Sequence, residues 1–203
     1  MKNPPRQKRV APAERRASIL RAALAVLERK DYHDITMDAV AREARVAKGT
    51  PYLYFPTKEK LFTALAEDMR LRAFEAWDCI LRDSPPGLAA LQALVRHQLD
   101  FFEQHKGVFL QVLRGNLPTL CPGRDKGCSD LISRNIGAME RALRDAARRG
   151  EVRKVDPRAA ATALFGMVRG FVFSRIIITG ETVRLGQAFE PLWDIFKNGV
   201  RPS

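Results

Sequence analysis

Residues 36–62 read TMDAVAREARVAKGTPYLYFPTKEKLF, and this stretch decides the fold. Thr36 can cap a helix whose first turn contains Asp38, where a negative charge suits the helix dipole. After a tight turn, a shorter helix is predicted over Lys48–Tyr54, and Thr57 precedes a third. Two short helices joined by a tight turn are typical of the helix-turn-helix, which reads duplex DNA with its second helix in the major groove.

The shorter helix has the side chains that contacts to DNA require. Lys48 and Thr50 can hydrogen-bond to base edges or phosphates, and Gly49 lets the backbone approach closely. Tyr52 and Tyr54 each present a rigid ring that ends in a hydroxyl suited to a phosphate oxygen. One of these two rings is alternatively part of the core.

The starts of the flanking helices add two candidates. Free backbone N–H groups and the positive end of the helix dipole favour phosphate there, so we include Thr36 and Lys58. The apolar residues of the same stretch are predicted to form the core of a small bundle: Val40, Val46, Leu53, Phe55, Leu61 and Phe62.

Charge is unevenly distributed along the chain. The 203 residues have a formal net charge of +12, which indicates an acidic polymer as a partner. Residues 1–60 contain 14 Lys and Arg against 7 Asp and Glu. The first twelve residues hold Lys2, Arg6, Lys8 and Arg9 without an acid. They are predicted to form a flexible basic arm that enters the minor groove, or alternatively a disordered tail with only nonspecific attraction.

Several classes of protein are excluded by the sequence. No apolar segment follows the first charges, and the most apolar stretch, 159–180, is interrupted by Arg169 and Arg175, so we expect a soluble, cytoplasmic protein. Cys79, Cys121 and Cys128 fit free thiols in a reducing compartment, and the last two are alternatively a redox sensor. No catalytic motif, zinc spacing or cofactor motif is visible, so we expect no enzyme, no metal and no cofactor.

Helical periodicity dominates the whole chain, and no alternating strand pattern is present. We therefore predict an all-α protein with a flexible basic arm over 1–12, a helix-turn-helix domain over 13–60, and a larger effector-binding and dimerisation domain over 61–203. Beyond the helices of the first domain, helices are predicted over about 58–82, 88–105, 107–115, 129–149, 157–179 and 182–198. Gly150 is expected to end one of them in the left-handed conformation, and Asp156 with Pro157 to begin the next.

Residues 14–62 resemble the N-terminal DNA-binding domain of the TetR family of transcriptional regulators. The matching residues are Thr36, Val40, Ala41, Ala44, Val46, Lys48, Gly49, Thr50, Tyr52, Tyr54, Phe55, Lys58, Glu59 and Leu61. The resemblance implies an all-α homodimer that binds a palindromic operator and is released by a small effector. It also implies that Thr36, Lys48, Gly49, Thr50, Tyr52, Tyr54 and Lys58 contact DNA.

Three residues depart from the family pattern. Arg45 occupies the turn position that usually holds Gly, and a positive φ there would cost Arg about 1 kcal/mol relative to Gly. A contact from Arg45 to a phosphate is one compensation. Ala47 replaces the usual Ser, which removes a side-chain cap. Pro51 lies within the recognition helix, where only a position in the first turn is tolerable.

An effector pocket needs apolar walls and isolated polar groups, and the second domain offers candidates for both. Each is alternatively an ordinary core or surface residue. An apolar or amphipathic effector is predicted, and an Arg that faces the cavity would favour an anion. Residues 116–128 form either a lid or a plain connection. The candidate walls are Trp77, Phe101, Met139, Phe165 and Phe171, and the candidate polar anchors are His97, Arg114, Arg169 and Arg175.

The helix over 157–179 is apolar on nearly every face, so it is predicted to be buried all round. Gly166 and Gly170 would let another helix approach closely, either within the monomer or between subunits. A two-fold dimer built from this helix and the last one matches a two-fold operator. The predicted dimer interface comprises Gly166, Gly170, Phe173, Ile177, Phe189 and Trp193.

These patterns predict a sequence-specific repressor that a small molecule releases from its operator. The effector would wedge among the C-terminal helices and tilt the long helix after Thr57, which changes the separation of the two recognition helices. The alternative is a DNA-binding protein without an effector, either architectural or regulated by a protein partner. A closed apolar cavity would favour the first hypothesis, and a fully packed core the second.

Overall fold

The computed structural model describes residues 11–113, 126–175 and 185–200, and within these ranges it contains helices and no strand. The all-α prediction is confirmed. The elements are α1 (Pro12–Leu27), a 3₁₀ turn (Tyr32–Asp34), α2 (Met37–Glu43), α3 (Thr50–Tyr54), α4 (Lys58–Asp83), α5 (Leu88–Gln104), α6 (Lys106–Leu113), α7 (Lys126–Arg148), α8 (Pro157–Phe173), a second 3₁₀ turn (Leu185–Ala188) and α9 (Phe189–Val200).

Backbone contacts divide the chain into two units, Met1–Ala66 and Glu67–Ser203. The boundary falls inside α4, so the start of this helix belongs to the first unit and the remainder to the second. The predicted domain limits at residues 12 and 60 stay predictions.

The first unit is a small bundle of α1, α2, α3 and the start of α4. One face of α1 is buried, with Ile19 and Ala23 fully enclosed. The ring of Tyr32 packs edge-on against Phe62, with 5.2 Å between ring centroids. Side chains from α1, α2 and α4, together with Phe55 just after α3, close this core: Leu20, Val26, Leu27, Met37, Val40, Ala41, Phe55, Leu61 and Leu65.

The turn between α2 and α3 forms by local backbone and side-chain contacts. The Thr36 hydroxyl oxygen accepts a hydrogen bond from the Ala39 N–H at 3.2 Å, which confirms the predicted cap of α2. Arg45 has a φ of 54°, so this turn does require the left-handed conformation that Gly adopts at least cost. Pro51 lies in the first turn of α3 and is buried. At this position its missing N–H removes no helical hydrogen bond.

The second unit is centred on α5, α7, α8 and α9. α7 packs along α8, and α5 contacts both of them and α9. Apolar residues recur on the facing sides of these helices, as helical periodicity requires. The most enclosed of them are Leu91, Leu94, Val95, Leu99, Met139, Leu143, Ala146, Ala161, Leu164, Val168 and Phe189.

The start of α5 is fixed by a residue far away in sequence. A carboxylate oxygen of Glu151 accepts a hydrogen bond from the Leu88 N–H at 2.8 Å, and its other oxygen binds Arg149 at 2.6 Å. Gly87 has a φ of 89° and leaves no room for a side chain beside this carboxylate. Gly150 has a φ of 71°, which confirms the predicted left-handed end of α7.

α8 begins as the sequence predicts, because the Asp156 carboxylate accepts from the Arg158 N–H at 2.9 Å and Pro157 occupies the first turn. The prediction that this helix is buried all round is wrong for a single chain. A stripe of small apolar residues along α8 is exposed, and the side chain of Phe173 at its end is 46% exposed. The stripe comprises Ala159, Ala163, Gly166, Gly170 and Phe173.

The last helix differs from its prediction in start and in exposure. The chain forms a 3₁₀ turn at Leu185–Ala188, and α9 begins only at Phe189. Phe189 and Trp193 stack at 6.0 Å between ring centroids and are 1% and 7% exposed. Both therefore pack inside their own chain, and their contribution to a dimer interface stays a prediction. Ile195, at 64% exposed, is the large apolar residue that α9 presents to solvent.

Some predictions lie outside the described residues. These concern the basic arm over 1–12 apart from its last two residues, Arg114, Cys121, Ile177 and most of the segment 116–128. The side chain of Cys128 lies outside them as well.

Candidate nucleic-acid interface and ligand groove

α3 has one buried face and one fully open face. Pro51 and Phe55 are four residues apart and both are buried, so they define the side that packs on the bundle. Gly49, Tyr52 and Leu53 lie on the other side, with Tyr52 50% exposed and Leu53 83% exposed. The prediction that Leu53 belongs to the core is therefore wrong. A helix of five residues has too few positions for its apolar pattern to reveal which face is buried.

The open face of α3 is flanked by cations. Lys48 lies just before α3, is 78% exposed and binds Asp38 at 2.8 Å between Nζ and Oδ2. The hydrogen bond and charge of Asp38 raise the pKa of Lys48, so the ammonium is fully charged at neutral pH. An exposed pair of this kind contributes little free energy, so Lys48 can exchange Asp38 for a phosphate. Arg42 and Arg45 are also exposed.

Lys58 has partners that the sequence did not reveal. Its ammonium donates to the carbonyl oxygens of Tyr32, Ile35 and His33 at 2.9, 3.1 and 3.4 Å. It also lies 4.4 Å from the centroid of the Tyr32 ring. These contacts tie the start of α4 to the segment that precedes Thr36. Lys58 therefore positions the cap of α2, and its role as a phosphate contact stays a prediction.

The other predicted DNA contacts, Thr36, Thr50 and Tyr54, also lie in the first unit. Thr36 is exposed, and its hydroxyl still has a proton to donate while its oxygen accepts from Ala39. Thr50 and Tyr54 are half-buried. The surface thus offers an ammonium, hydroxyl donors and guanidinium groups around an apolar side chain. This combination can bind phosphates and read base edges.

The predicted effector residues do not all meet in one described cavity. Trp77, Met139 and Phe165 are buried in the core of the second unit. His97 and Phe101 are half-buried neighbours on α5 with 6.5 Å between ring centroids. Burial lowers the pKa of His97, so this imidazole is neutral at neutral pH.

Two cations, Arg169 on α8 and Arg175 just after it, lie against aromatic rings of the same unit. The Arg175 guanidinium carbon lies 5.3 Å from the centroid of Phe171. The guanidinium carbon of Arg169 lies at the same distance from Phe165 and at 5.9 Å from Phe102.

A groove of about 390 Å³ lies between α7 and the part of α4 that belongs to the second unit. Of the predicted effector residues that the structure describes, only Trp77 lines it. The guanidinium of Arg134 covers the ring of Phe74 at 4.4 Å from the centroid. None of the sequence predictions includes this groove, although Arg134, Gly137, Ala138 and Arg141 recur at helical spacing. The full lining comprises Phe74, Trp77, Asp78, Ser133, Arg134, Asn135, Gly137, Ala138 and Arg141.

Among the described residues of the second unit, a buried oxygen of Gln98 has no hydrogen-bond partner. The side chain of Gln98 on α5 is 5% exposed, and its carbonyl oxygen accepts no hydrogen bond. Leaving a buried acceptor unsatisfied costs about 1–3 kcal/mol. A hydrogen-bond donor on a bound molecule would recover part of that free energy.

The residues that the structure describes contain neither a membrane-spanning helix nor a metal-binding cluster. None of their helices is long and apolar enough to cross a membrane. No group of three or more His, Cys, Asp or Glu side chains in these ranges could hold a metal ion.

Two sequence models match the chain, one in each unit. The model of the bacterial regulatory proteins of the tetR family matches residues 19–65. The model of the AefR-like transcriptional repressor C-terminal domain matches residues 89–189. The chain belongs to the TetR family. The resemblance noted in the sequence is confirmed, and the protein is a DNA-binding transcriptional regulator.

Relatives of this TetR-family regulator include proteins with two kinds of described role. The nucleoid occlusion factor SlmA of Marinobacter nauticus is 29% identical over 190 residues, which cover 92% of this chain and 95% of that protein. The HTH-type transcriptional regulator EthR of Mycolicibacterium smegmatis is 31% identical over 97 residues, which cover 48% of this chain and 43% of EthR.

Solved structures share the fold at low sequence identity. The transcriptional regulator FadR from Bacillus subtilis, in complex with stearoyl-CoA, has a TM-score of 0.71 and 18% identity, covering 91% of this chain and 99% of FadR. A protein from Saccharomonospora viridis in complex with choline has a TM-score of 0.79 and 22% identity, covering 94% of this chain and all of that chain. The ligands of these two proteins have opposite charges, so the shared fold does not set the ligand.

Proposed function

We propose that this TetR-family regulator is a homodimeric repressor, released from a palindromic operator by a small amphipathic effector with an anionic group. The observation that carries this proposal is that one helix, α4, contributes residues both to the support of α2 and to the groove. Its first residue, Lys58, binds the carbonyl oxygens before α2, and its later residues Phe74, Trp77 and Asp78 line the groove. A ligand in the groove and the cap of the DNA-reading helices therefore act on the same helix.

The DNA contacts proposed are those of the open surface around α3. Arg45, Lys48, Tyr52 and Thr36 would bind phosphates and hold the register, while Thr50 and the backbone at Gly49 approach the bases. Tyr54 and Lys58 contribute mainly by packing and by positioning the turn. Because the operator is chromosomal DNA, the cytoplasm is the proposed location.

The dimer interface proposed here is revised from the sequence prediction. The exposed stripe of Gly166, Gly170 and Phe173 on α8 has open space beside both glycines, since nothing lies within 4 Å of a side chain added there. Another helix could therefore approach α8 closely. Ile195 replaces Phe189 and Trp193 as the contribution of α9. A two-fold dimer of this kind would place two α3 helices on the two half-sites of a palindrome.

The groove favours a particular class of effector. Phe74 and Trp77 offer an aromatic wall for an apolar body, while Arg134 and Arg141 offer two cations against one carboxylate at Asp78. Guanidinium groups bind carboxylates and phosphates in bidentate geometry. An anionic amphiphile therefore fits better than a cation such as choline. The volume of about 390 Å³ is at the lower end of the range for ligand pockets, which favours a short chain or a single ring system.

The second candidate function is that of a DNA-binding protein that has no small-molecule effector and is regulated by a protein partner. The full-length similarity to nucleoid occlusion factors favours it. This hypothesis predicts sequence-specific DNA binding that no small molecule releases.

The test begins with DNA selected from a random pool by the purified protein. Binding is measured by fluorescence anisotropy against scrambled DNA over a salt series, because charge alone gives salt-sensitive, nonspecific affinity. Short and medium-chain carboxylates and choline are then added to the complex. We expect carboxylates to release the DNA and choline to have no effect. A reporter promoter carrying the selected site should be less active when the protein is expressed.

Variants locate the effector. Arg134→Ala combined with Arg141→Ala should retain DNA affinity and lose the response to carboxylates. Arg148→Ala is the matched control, because this exposed α7 arginine binds Asp145 and does not line the groove. Release that persists in the double variant would contradict the site. Tight binding that none of these compounds releases would favour the partner-regulated alternative.

A further inference from the structure

Leu53 is the most exposed large apolar residue of the chain's described part, with 83% of its surface open to solvent. Burying a leucine side chain gives about 1.5–3 kcal/mol, and no residue described between positions 11 and 66 supplies that burial. A single exposed leucine on a surface loop would need no explanation. Leu53 instead lies in the middle of the helix whose open face carries the predicted DNA contacts.

The surroundings of Leu53 leave space for another molecule. Gly49 precedes Leu53 by one helical turn, and a side chain added at Gly49 would meet no atom within 4 Å. Tyr52, beside Leu53, is half exposed. The open face of α3 therefore presents an apolar spot at Leu53, with open space one helical turn away at Gly49.

Charge around this spot indicates which molecule covers it. Lys48, Arg45 and Arg42 are exposed within eleven residues of Leu53. Protein-binding surfaces normally present contiguous apolar patches of a few hundred Å², whereas one leucine flanked by cations fits a polyanion with isolated apolar groups. In the DNA major groove, the apolar group on a base edge is the 5-methyl group of thymine.

We propose that Leu53 is a specificity-determining residue that contacts the 5-methyl group of one thymine in each operator half-site. The proposal rests on the DNA-binding function and adds a sequence preference to it. Phosphate contacts from the flanking cations fix the register, and Leu53 selects thymine over cytosine at one position. The hydroxyl groups nearby cannot make this selection alone, because they bind acceptors and donors of several bases.

The test removes the methyl group and the leucine separately and together. In DNA selected by the protein from a random pool, each thymine pair of the palindrome is replaced by deoxyuridine, which lacks only the methyl group. For the unaltered protein, one symmetric position should lower affinity about fourfold per half-site, the loss that corresponds to one buried carbon group. For Leu53→Ala, the same replacement should change affinity by less than about 1.5-fold, because the contact is already absent.

Leu71→Ala is the matched control, since Leu71 is a 61% exposed leucine on α4. It should keep the full sensitivity to deoxyuridine. Thermal unfolding of both variants should match that of the unaltered protein, because neither side chain is buried. DNA selected anew by Leu53→Ala should accept cytosine at the sensitive position.

The outcomes distinguish failure of the Leu53 contact from failure of the proposed sequence-specific DNA binding. Equal sensitivity of the unaltered protein and Leu53→Ala at every thymine would overturn the leucine contact. Insensitivity of the unaltered protein to every deoxyuridine would overturn it too. Failure of the protein to select any consensus would instead contradict sequence-specific DNA binding itself.

Discussion

The two units keep their candidate functional side chains in opposite places. In the first unit, Lys48, Tyr52 and Leu53 are exposed on a face that the bundle does not need for packing. In the second unit, Trp77 lines a groove while 5% exposed, and Met139 is fully enclosed. Function and stability should therefore be separable by mutation on the open face of α3 and coupled at the buried ring of Trp77, whereas the exposed groove residues Arg134 and Arg141 should again be separable from stability.

The largest expected effect is on DNA affinity alone. Tyr52→Ala should weaken binding to selected DNA by about tenfold or more, because each subunit loses a rigid ring and a hydroxyl donor to phosphate. The free energy of unfolding should change by less than about 0.5 kcal/mol, since the ring is half exposed. Anisotropy and thermal unfolding measure the two quantities, and Tyr52→Phe isolates the hydroxyl. An unfolded Tyr52→Ala variant would show that DNA affinity and stability cannot be separated at this position.

Lys58→Met should lower stability and DNA affinity together. The half-buried ammonium donates to three carbonyl oxygens, and its loss should cost about 1–3 kcal/mol of unfolding free energy. Urea unfolding and anisotropy check the two effects. Lys60→Met, an exposed substitution two residues later, is the control that should change stability little. Loss of DNA affinity at unchanged stability would show that Lys58 acts as a phosphate contact and not through position.

Glu151→Gln should affect stability and leave DNA binding unchanged. The Leu88 N–H, followed by Arg149, holds the pKa of Glu151 below its ordinary value of 4.5. A carboxylate with a lowered pKa stabilises the fold at neutral pH, and that contribution is lost as pH falls through the folded pKa. We expect a loss of about 1 kcal/mol at pH 7 that shrinks on acidification below about pH 5. Urea unfolding at several pH values tests it; a pH-independent difference would contradict the assignment.

Arg45→Gly should have the smallest effect. It should raise the stability of the first unit and lower its affinity for DNA. Relief of the φ of 54° should stabilise the unit by up to about 1 kcal/mol, partly offset by the larger entropy of Gly in the unfolded chain. DNA affinity should fall about threefold, with a shallower dependence on salt, if the guanidinium binds a phosphate. Arg45→Ala keeps the strain and removes the charge. A salt dependence that neither variant changes would exclude the phosphate contact.

Local signals in the sequence predicted most of the fold. Thr36, Gly150 and Asp156 each mark a helix end through contacts with residues at most three positions away, and each prediction was confirmed. The left-handed conformation at Arg45 matches the family pattern, in which this turn position usually holds Gly.

Contacts between distant residues could not be predicted in this way. The partners of Lys58 are more than twenty residues earlier, and Glu151 caps a helix that begins 63 residues before it. Apolar character predicts burial on average, so the sequence places Leu53 in the core. Only the packing of α3 shows which of its faces is covered. The groove lined by Arg134 depends on two helices that are far apart in the chain, so composition could not locate it.

The 26 residues of α4 include neither glycine nor proline. At about 1.5 Å of rise per residue, such a helix is a rod about 39 Å long. A tilt of about 5° at one end displaces the other by about 3 Å, close to the rise of one base pair at 3.4 Å. Under the proposed function, an effector that tilts α4 by this small angle would displace the far end of the helix by about one base-pair step.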